Sequence, residues 1–266
     1  MKEDIITSRT NPRLKQTAAL HQRKHRDATG LIWVEGTKCV KALLGSSYGI
    51  QELYVSTDAH ATVHDLADTA REKGHAVTRV APQCFKKCSV LRHPEGIGAV
   101  AARRPPETLQ DTIGTPAVVL WQLNEPGNLG SIIRTAVGLG CCTILIAEPS
   151  VDVFHPMCIR GSAGALFNAC LHTAPAEEML AWLKERSHMV AGLSGDGRQV
   201  LGHEGQPGIE ILVVGNEPHG LPETIRQQFN TISLPMAPAV ESLNVTAAAA
   251  IAIYTLWHSP RPQEAT

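Results

Sequence analysis

The sequence predicts two α/β domains in tandem. Three observations carry that prediction. Short strand-like runs alternate with helical stretches along the chain. A proline- and charge-rich interruption, ARRPPETLQDTIGTP, falls between Ala102 and Pro116 and reads as a linker. The runs beyond it are continuously apolar, as expected of a parallel sheet covered on both faces. At 266 residues the chain is long for one domain and comfortable for two. The boundaries are drawn at 1–103, 104–116 and 117–266.

In the first part a helix is expected from Pro12 to Leu20. Strands are expected over LIWVEGT (31–37), IQELYVS (50–56), HAVTRV (75–80) and GIGAVAA (96–102). The stretches KCVKALL and ATVHDLADTAREKG between them read as helices. In the second part strands are expected over AVVLWQL, CTILIAE, MVAGLS, IEILVVG and TISLPM. Helices are expected over NLGSIIRTAVGLG, after His155, over AEEMLAWLKER, and in a final segment from about Glu241. Ser242 and Asn244 are placed to cap that last helix, because a helix start leaves backbone N–H groups without partners.

Composition narrows the function classes. Hydrophobic residues make up 43% of the chain and charged residues 18%, which suits a globular protein with a sizeable core. A formal net charge of -1 gives no global attraction to nucleic acid or anionic lipid, so either partner must be met by a local patch. The one lopsided region is the first thirty residues, where Lys2, Arg9, Arg13, Lys15, Arg23, Lys24 and Arg26 outnumber Glu3, Asp4 and Asp27. A solvated helix face is the plain account of that run. The seven cysteines are an odd number and scattered, and no secretory signal precedes them, which suits free thiols in a reducing cytoplasm. CFKKC has no second pair at zinc-site spacing, so no metal is expected. The Ala-rich last helix is expected to be buried in protein, not in a membrane.

Ligands of open α/β sheets bind beyond the carboxyl ends of strands. Three strand ends carry polar residues among glycines: LNEPGNLGSIIRTAVGLG, VVGNEPHGLP and LPMAPAVESLNVTAAAA. In the first, Asn128 suits an N-cap and Arg134 interrupts an apolar helix face. The dinucleotide fingerprint G-x-G-x-x-G, the P-loop and the nucleophile elbow are all missing. Their absence removes the nucleotide-dependent oxidoreductase reading.

In this order and near these separations, NEPGNLGSIIRTA, VVGNEPHGL and LPMAPAVESLNVTAAAA resemble the three signatures of the SpoU-type RNA ribose 2′-O-methyltransferases of the SPOUT class. The resemblance covers about 117–258. The first part, through TSRTNPRLKQ, WVEGTKCVKALL and PEGIGAVAA, is similar to that family's N-terminal L30e-like substrate-binding domain. The resemblance implies that the C-terminal domain is a SPOUT α/β-knot, with a deep trefoil knot that is an exception to unthreaded chains. It implies S-adenosylmethionine bound at Gly215, Leu234 and Leu243, with Leu193 and Gly195 at an earlier strand end. It makes Arg134, Glu217, Ser242, Asn244 and Asn128 the catalytic set. An RNA substrate needs cations, and the basic N-terminal run makes Arg9, Arg13, Lys15 and Arg23 the candidates for phosphate contact, with Lys86, Lys87, Arg92, Arg103 and Arg104 as further candidates. By the same resemblance the protein is a cytoplasmic homodimer joined through the knotted domain.

The implied activity is 2′-O-methylation of a ribose in structured RNA, with 23S ribosomal RNA preferred. A tRNA substrate and a catalytically inactive RNA-binding or ribosome-assembly factor are the alternatives. The sequence departs from the family's habit at Trp121, where an acid is frequent, at Glu125, where aspartate is frequent, and at Pro218 and His219.

Overall fold

The structure, a computed structural model, describes residues 5–110, 112–202, 208–217, 219–237, 239 and 242–258. Lys2, Glu3, Asp4, Pro218 and Glu241 lie outside the described residues. In chain order the elements are α1 (Pro12–Ala19), α2 (Arg23–Thr29), β1 (Leu31–Glu35), α3 (Thr37–Leu44), β2 (Ile50–Ser56), α4 (Ala61–Glu72), β3 (Val77–Val80), α5 (Pro82–Cys88) and β4 (Ile97–Ala102). They continue with β5 (Ala117–Trp121), α6 (Pro126–Gly138), β6 (Thr143–Glu148), α7 (Pro156–Gly161), β7 (Cys170–Pro175), α8 (Ala176–Lys184), β8 (Val190–Leu193) and β9 (Gln199–Val200). The last are β10 (Ile211–Val214), α9 (Glu223–Gln228), β11 (Asn230–Ser233) and α10 (Val245–Trp257). Every strand expected from sequence is present. The short elements α2, α5, α9 and β9 were not expected, because they are too brief to show a period, and neither was β7, whose sequence CLHTAP has no continuous apolar run.

The chain folds into two compact units, 1–105 with 152–168, and 106–151 with 169–266. In the first unit the sheet runs β1-β4-β2-β3, with β4 antiparallel to both neighbours and β2 parallel to β3. One face carries Trp33, Tyr54 and Val100, packed against Leu14 and Leu20 of the α1 region and Cys84, Phe85 and Cys88 of α5. Trp33 lies 6.1 Å from the Tyr54 ring and 6.2 Å from Phe85. A side chain at Gly98 would sit 2.2 Å from the Trp33 ring, so glycine is required there. Cys84 and Cys88 are core residues, and burial pushes the Cys88 thiol up to about 12.

Residues 152–168, expected in the C-terminal part, instead close this unit from the side of β1, through α7. Their anchor corrects a second expectation. Arg26, expected among the solvated cations, is only 1% exposed. Its Nε and Nη2 donate to Asp152 Oδ2 at 2.9 and 2.7 Å, and its Nη1 donates to the carbonyls of Leu20 and His21. A forked guanidinium with all its groups engaged is the form in which a buried cation is tolerated.

The second unit is a seven-stranded sheet of order β7-β6-β5-β10-β8-β11-β9, parallel at every pairing. Strands Ala117–Trp121 and Ile211–Val214 are buried along their whole length, which explains their unbroken apolar sequence. Met179, Trp182 and Leu183 of α8 and Ile225 of α9 pack on Val119, Trp121, Val190 and Val213. Trp121 is thus a core residue, in a place where an unpaired acid would be costly to bury. The helices α6 and α10 pack on each other, and α10 also meets β8 and β10.

The expected linker is docked, not free. Glu107 pairs with β7 through Glu107 N–H to Leu171 O and Thr173 N–H to Glu107 O, both at 2.8 Å. Leu109 and Ile113 pack on the core, and Trp182 Nε1 donates to Gln110 O. The polar composition that suggested a linker belongs to an edge segment. Among the described residues, no helix is long and apolar enough to cross a membrane.

Removing one partner of a buried pair strands the other, at a cost of about 3–5 kcal/mol. Asp152→Ala is expected to lose about that much stability in a denaturant titration. A loss below about 1 kcal/mol, the scale of an exposed pair, would contradict the account of Arg26.

Candidate active site at the carboxyl ends of the parallel strands

The strand order turns outward in both directions from the β5–β10 pair, so the carboxyl ends of these two strands open a crevice. A cavity of about 320 Å³ lies beside it, at the carboxyl ends of β8, β10 and β11. Its wall comes from Leu193 at the end of β8 with Ser194 and Gly195 beyond it, from Val214 at the end of β10 with Gly215, Asn216, Glu217 and Gly220 beyond it, and from Leu234 and Met236 after β11. The start of α10 completes it with Ser242, Leu243, Asn244, Val245 and Ala248. All five expected cofactor residues, Leu193, Gly195, Gly215, Leu234 and Leu243, therefore face one space. Glu217, Ser242 and Asn244 of the catalytic set share it.

Local sequence explains the shape. After β10 the chain doubles back, with Gly220 N–H donating to Asn216 O at 2.8 Å and Gly220 at φ 64°. A side chain at Gly215 would lie 2.4 Å from the Gly220 backbone, so only glycine admits the reversal. A side chain at Gly197 would lie 2.3 Å from the Ile232 backbone, marking where the chain after β8 crosses closely over β11. Ser194 and Arg226 hold the Asp196 carboxyl below the usual carboxylate range, the Ser194 hydroxyl contributing most. Asn244 caps α10, its Oδ1 accepting from Thr246 N–H at 2.9 Å. The helix begins at Val245, later than expected. Ser242 stands outside it as a cavity residue and does not cap it.

Asn128 does not cap α6 either. The N-cap is Glu125, followed by Pro126, and Asn128 sits inside the first turn. Its Nδ2 donates to Glu217 Oε1 at 2.7 Å. This bond joins the first signature to the second. Glu217 Oε2 is buried and finds no partner among the described residues. Arg134 stands apart. It is exposed, does not line the cavity, and its side chain makes no hydrogen bond or ion pair among the described residues. Sequence reasoning missed Asn216, Ser194 and Met236 on the cavity wall. The signal for Asn216 was a lone amide directly after an apolar strand.

The RNA-contact candidates divide. Arg9, Lys15 and Arg23 are exposed, with Arg23 3.6 Å from Asp27. Arg13 is ion-paired with Glu52 and lies 5.9 Å from the Tyr54 ring centre. Lys87 donates to the Arg9 carbonyl, Arg103 pairs with Asp27, and Arg104 bonds Ser47.

Residues 115–254 match the model of the SpoU rRNA methylase family. The chain belongs to that family. Residues 11–99 match an MRM3-like substrate-binding domain. The 23S rRNA guanosine 2′-O-methyltransferase RlmP of Bacillus subtilis is 26% identical over 252 residues, 94% of this chain and 98% of its own. A 23S rRNA uridine 2′-O-methyltransferase of Streptomyces viridochromogenes is 28% identical over 94% of this chain and 90% of its own. The crystal structure of an RNA 2′-O ribose methyltransferase matches with a TM-score of 0.81 at 28% identity, covering 95% of this chain and 97% of that one. The AviRb methyltransferase of S. viridochromogenes, crystallised with AdoMet, matches with a TM-score of 0.78 at 25% identity, covering 92% and 96%. This SpoU methylase is therefore an RNA methyltransferase, and S-adenosylmethionine is its family's methyl donor.

The cavity fits that donor. Its volume lies at the lower end of small-molecule sites, which run from about 300 Å³ upward. Leu193, Val214, Leu234 and Leu243 offer apolar wall to a nucleoside, while glycine backbone leaves polar groups within reach. The buried acceptors Asn216 Oδ1 and Glu217 Oε2 suit a ligand that is cationic and rich in N–H and O–H groups.

A side chain added at Gly195 meets nothing within 4 Å and no positive φ forbids it, so Gly195→Val should fold and fill the cavity. Calorimetry is expected to show donor binding at least tenfold weaker with the melting temperature retained. Unchanged affinity would place the donor elsewhere.

Proposed function

We propose that this SpoU methylase transfers a methyl group to the 2′-oxygen of a ribose in structured RNA, with 23S ribosomal RNA as the substrate. The observation that carries the reading is the cavity shared by the second and third signature segments, to which the Asn128–Glu217 bond ties the first. Full-length similarity to two 23S rRNA 2′-O-methyltransferases favours ribosomal RNA over tRNA. In this reading residues 1–103 grip RNA, 104–116 join the parts, and 117–266 carry the knot and the chemistry. The site of action is the cytoplasm.

S-adenosylmethionine, bound along Leu193, Gly195, Gly215, Leu234 and Leu243, supplies an electrophilic methyl group. What remains for the protein is alignment of a ribose oxygen and management of one proton. A guanidinium offers N–H donors and no acceptor, so Arg134 does not act as a simple base. Its fork clamps the neighbouring phosphate and stabilises the developing alkoxide. The proton leaves to that phosphate or to solvent. Glu217, held by Asn128, orients the reacting ribose together with Ser242 and Asn244.

Arg134 does not line the cavity of its own chain, and α10 exposes Ile251 and Tyr254 at 46% and 52%. Both observations support a homodimer formed through the knotted domain, in which Arg134 completes a site it shares with the partner's cavity.

Methyl transfer to RNA transcripts, mapped by ribose-methylation sequencing, tests the reaction and the substrate together. Arg134→Lys keeps the charge and loses the fork. With RNA saturating it is expected to lower kcat by about 10²-fold, the scale of one lost transition-state donor. Near-normal turnover would overturn this role. RNA affinity should fall steeply with salt, and Lys15→Ala should reduce the slope of log K against log salt by about one.

A further inference from the structure

Asn216 sits between Gly215 and Glu217, and its side chain has no part in the proposed chemistry. Its Nδ2 donates to the carbonyl of Gln122 at 2.8 Å. A carbonyl can only accept, so the nitrogen must be the atom facing it, and the amide's orientation is fixed. The Oδ1 is then directed elsewhere, and it is buried without a partner among the described residues. Roughly 90% or more of buried polar groups are satisfied, so such an acceptor calls for an explanation. Asn216 lines the donor cavity.

Its other partner is also unusual. Gln122 has φ 53°, a left-handed conformation that a residue with a side chain adopts only when its surroundings hold it there. Gln122 leaves β5 and begins the turn into α6. That helix carries Asn128, which bonds Glu217, and Arg134. One amide therefore touches both the cavity and the turn that leads to the RNA-handling residues.

We propose that Asn216 is a positioning residue that couples methyl-donor binding to the β5–α6 turn. Its Oδ1 accepts a hydrogen bond from an N–H or O–H of bound S-adenosylmethionine. Its Nδ2 holds Gln122 in the left-handed conformation from which α6 starts. The inference rests on the cavity being the donor site.

The two halves separate experimentally. Calorimetry on the full chain would use S-adenosylmethionine and 5′-methylthioadenosine, which keeps the nucleoside and lacks the amino-acid tail. Turnover would be measured with donor and RNA both saturating. Asn216→Ala removes both polar atoms and is expected to weaken donor binding about tenfold and to lower kcat. A loss on both ligands puts the donated hydrogen on the nucleoside, and a loss on S-adenosylmethionine alone puts it on the tail; either supports the proposal. Asn216→Asp keeps an acceptor and loses the N–H, so affinity should stay within about threefold of the parent while kcat falls. Adding Gln122→Gly, which adopts the left-handed conformation unaided, should restore kcat in both variants without restoring affinity in Asn216→Ala.

Parent-like affinity of Asn216→Ala for both ligands would overturn the first half. Failure of Gln122→Gly to recover turnover would overturn the second. If Asn216→Ala does not fold, the split between affinity and kcat in Asn216→Asp decides the matter. A parent that binds no S-adenosylmethionine would instead refute the cavity assignment.

Discussion

The site depends on two side-chain hydrogen bonds that tie the loop after β5 to the loop after β10. Asn128 reaches from α6 to Glu217, and Asn216 reaches back to Gln122. Adjacent parallel strands present their carboxyl ends side by side, but nothing in the sheet itself fixes the loops beyond them. The crossed pair supplies that constraint. It places a carboxyl group, a left-handed turn and a helix start in one fixed arrangement beside the cavity wall, the kind of support that gives a site its precision.

Much of this was legible in the sequence, and the failures have physical reasons. Strands β5, β6, β8, β10 and β11 of the second unit announce themselves because burial on both faces demands unbroken apolar runs, whereas the edge strands β7 and β9 carry no such run. The cavity residues were placed by resemblance in motif order, and the structure brings them to one space. Periodicity could not do that, since Leu193, Leu234 and Leu243 are unremarkable aliphatics whose value lies in where the backbone puts them. Capping was read correctly at Asn244 and wrongly at Ser242 and Asn128. Both asparagines have a side chain suited to bonding a backbone N–H, but Pro126 supplies the fixed φ of a first helical position and sets the N-cap of α6 three residues earlier, at Glu125. Asn128 is thereby released to bond Glu217.

Charge was the hardest property to read. Arg26 belongs by sequence to a basic run, yet it is buried on Asp152, 126 residues away. Arg13 and Arg103 are likewise engaged by carboxyl groups of the same unit. The basic run is thus partly structural, which leaves Arg9, Lys15 and Lys24 as exposed cations within it that pair with no carboxyl group among the described residues, while Arg23 is exposed but lies beside Asp27. Partners distant in sequence decide which cations remain for RNA, and composition carries no record of such pairings.

The central claim is that the carboxyl-end cavity, tied by the Asn128–Glu217 and Asn216–Gln122 bonds, is where the methyl donor sits. Backbone amide NMR shifts on titration with S-adenosylmethionine test it most directly. The account predicts that the largest changes fall on residues 193–195, 214–220 and 234–248, with smaller ones at Gln122 and Asn128. Changes centred elsewhere, or none at saturating donor, would contradict it.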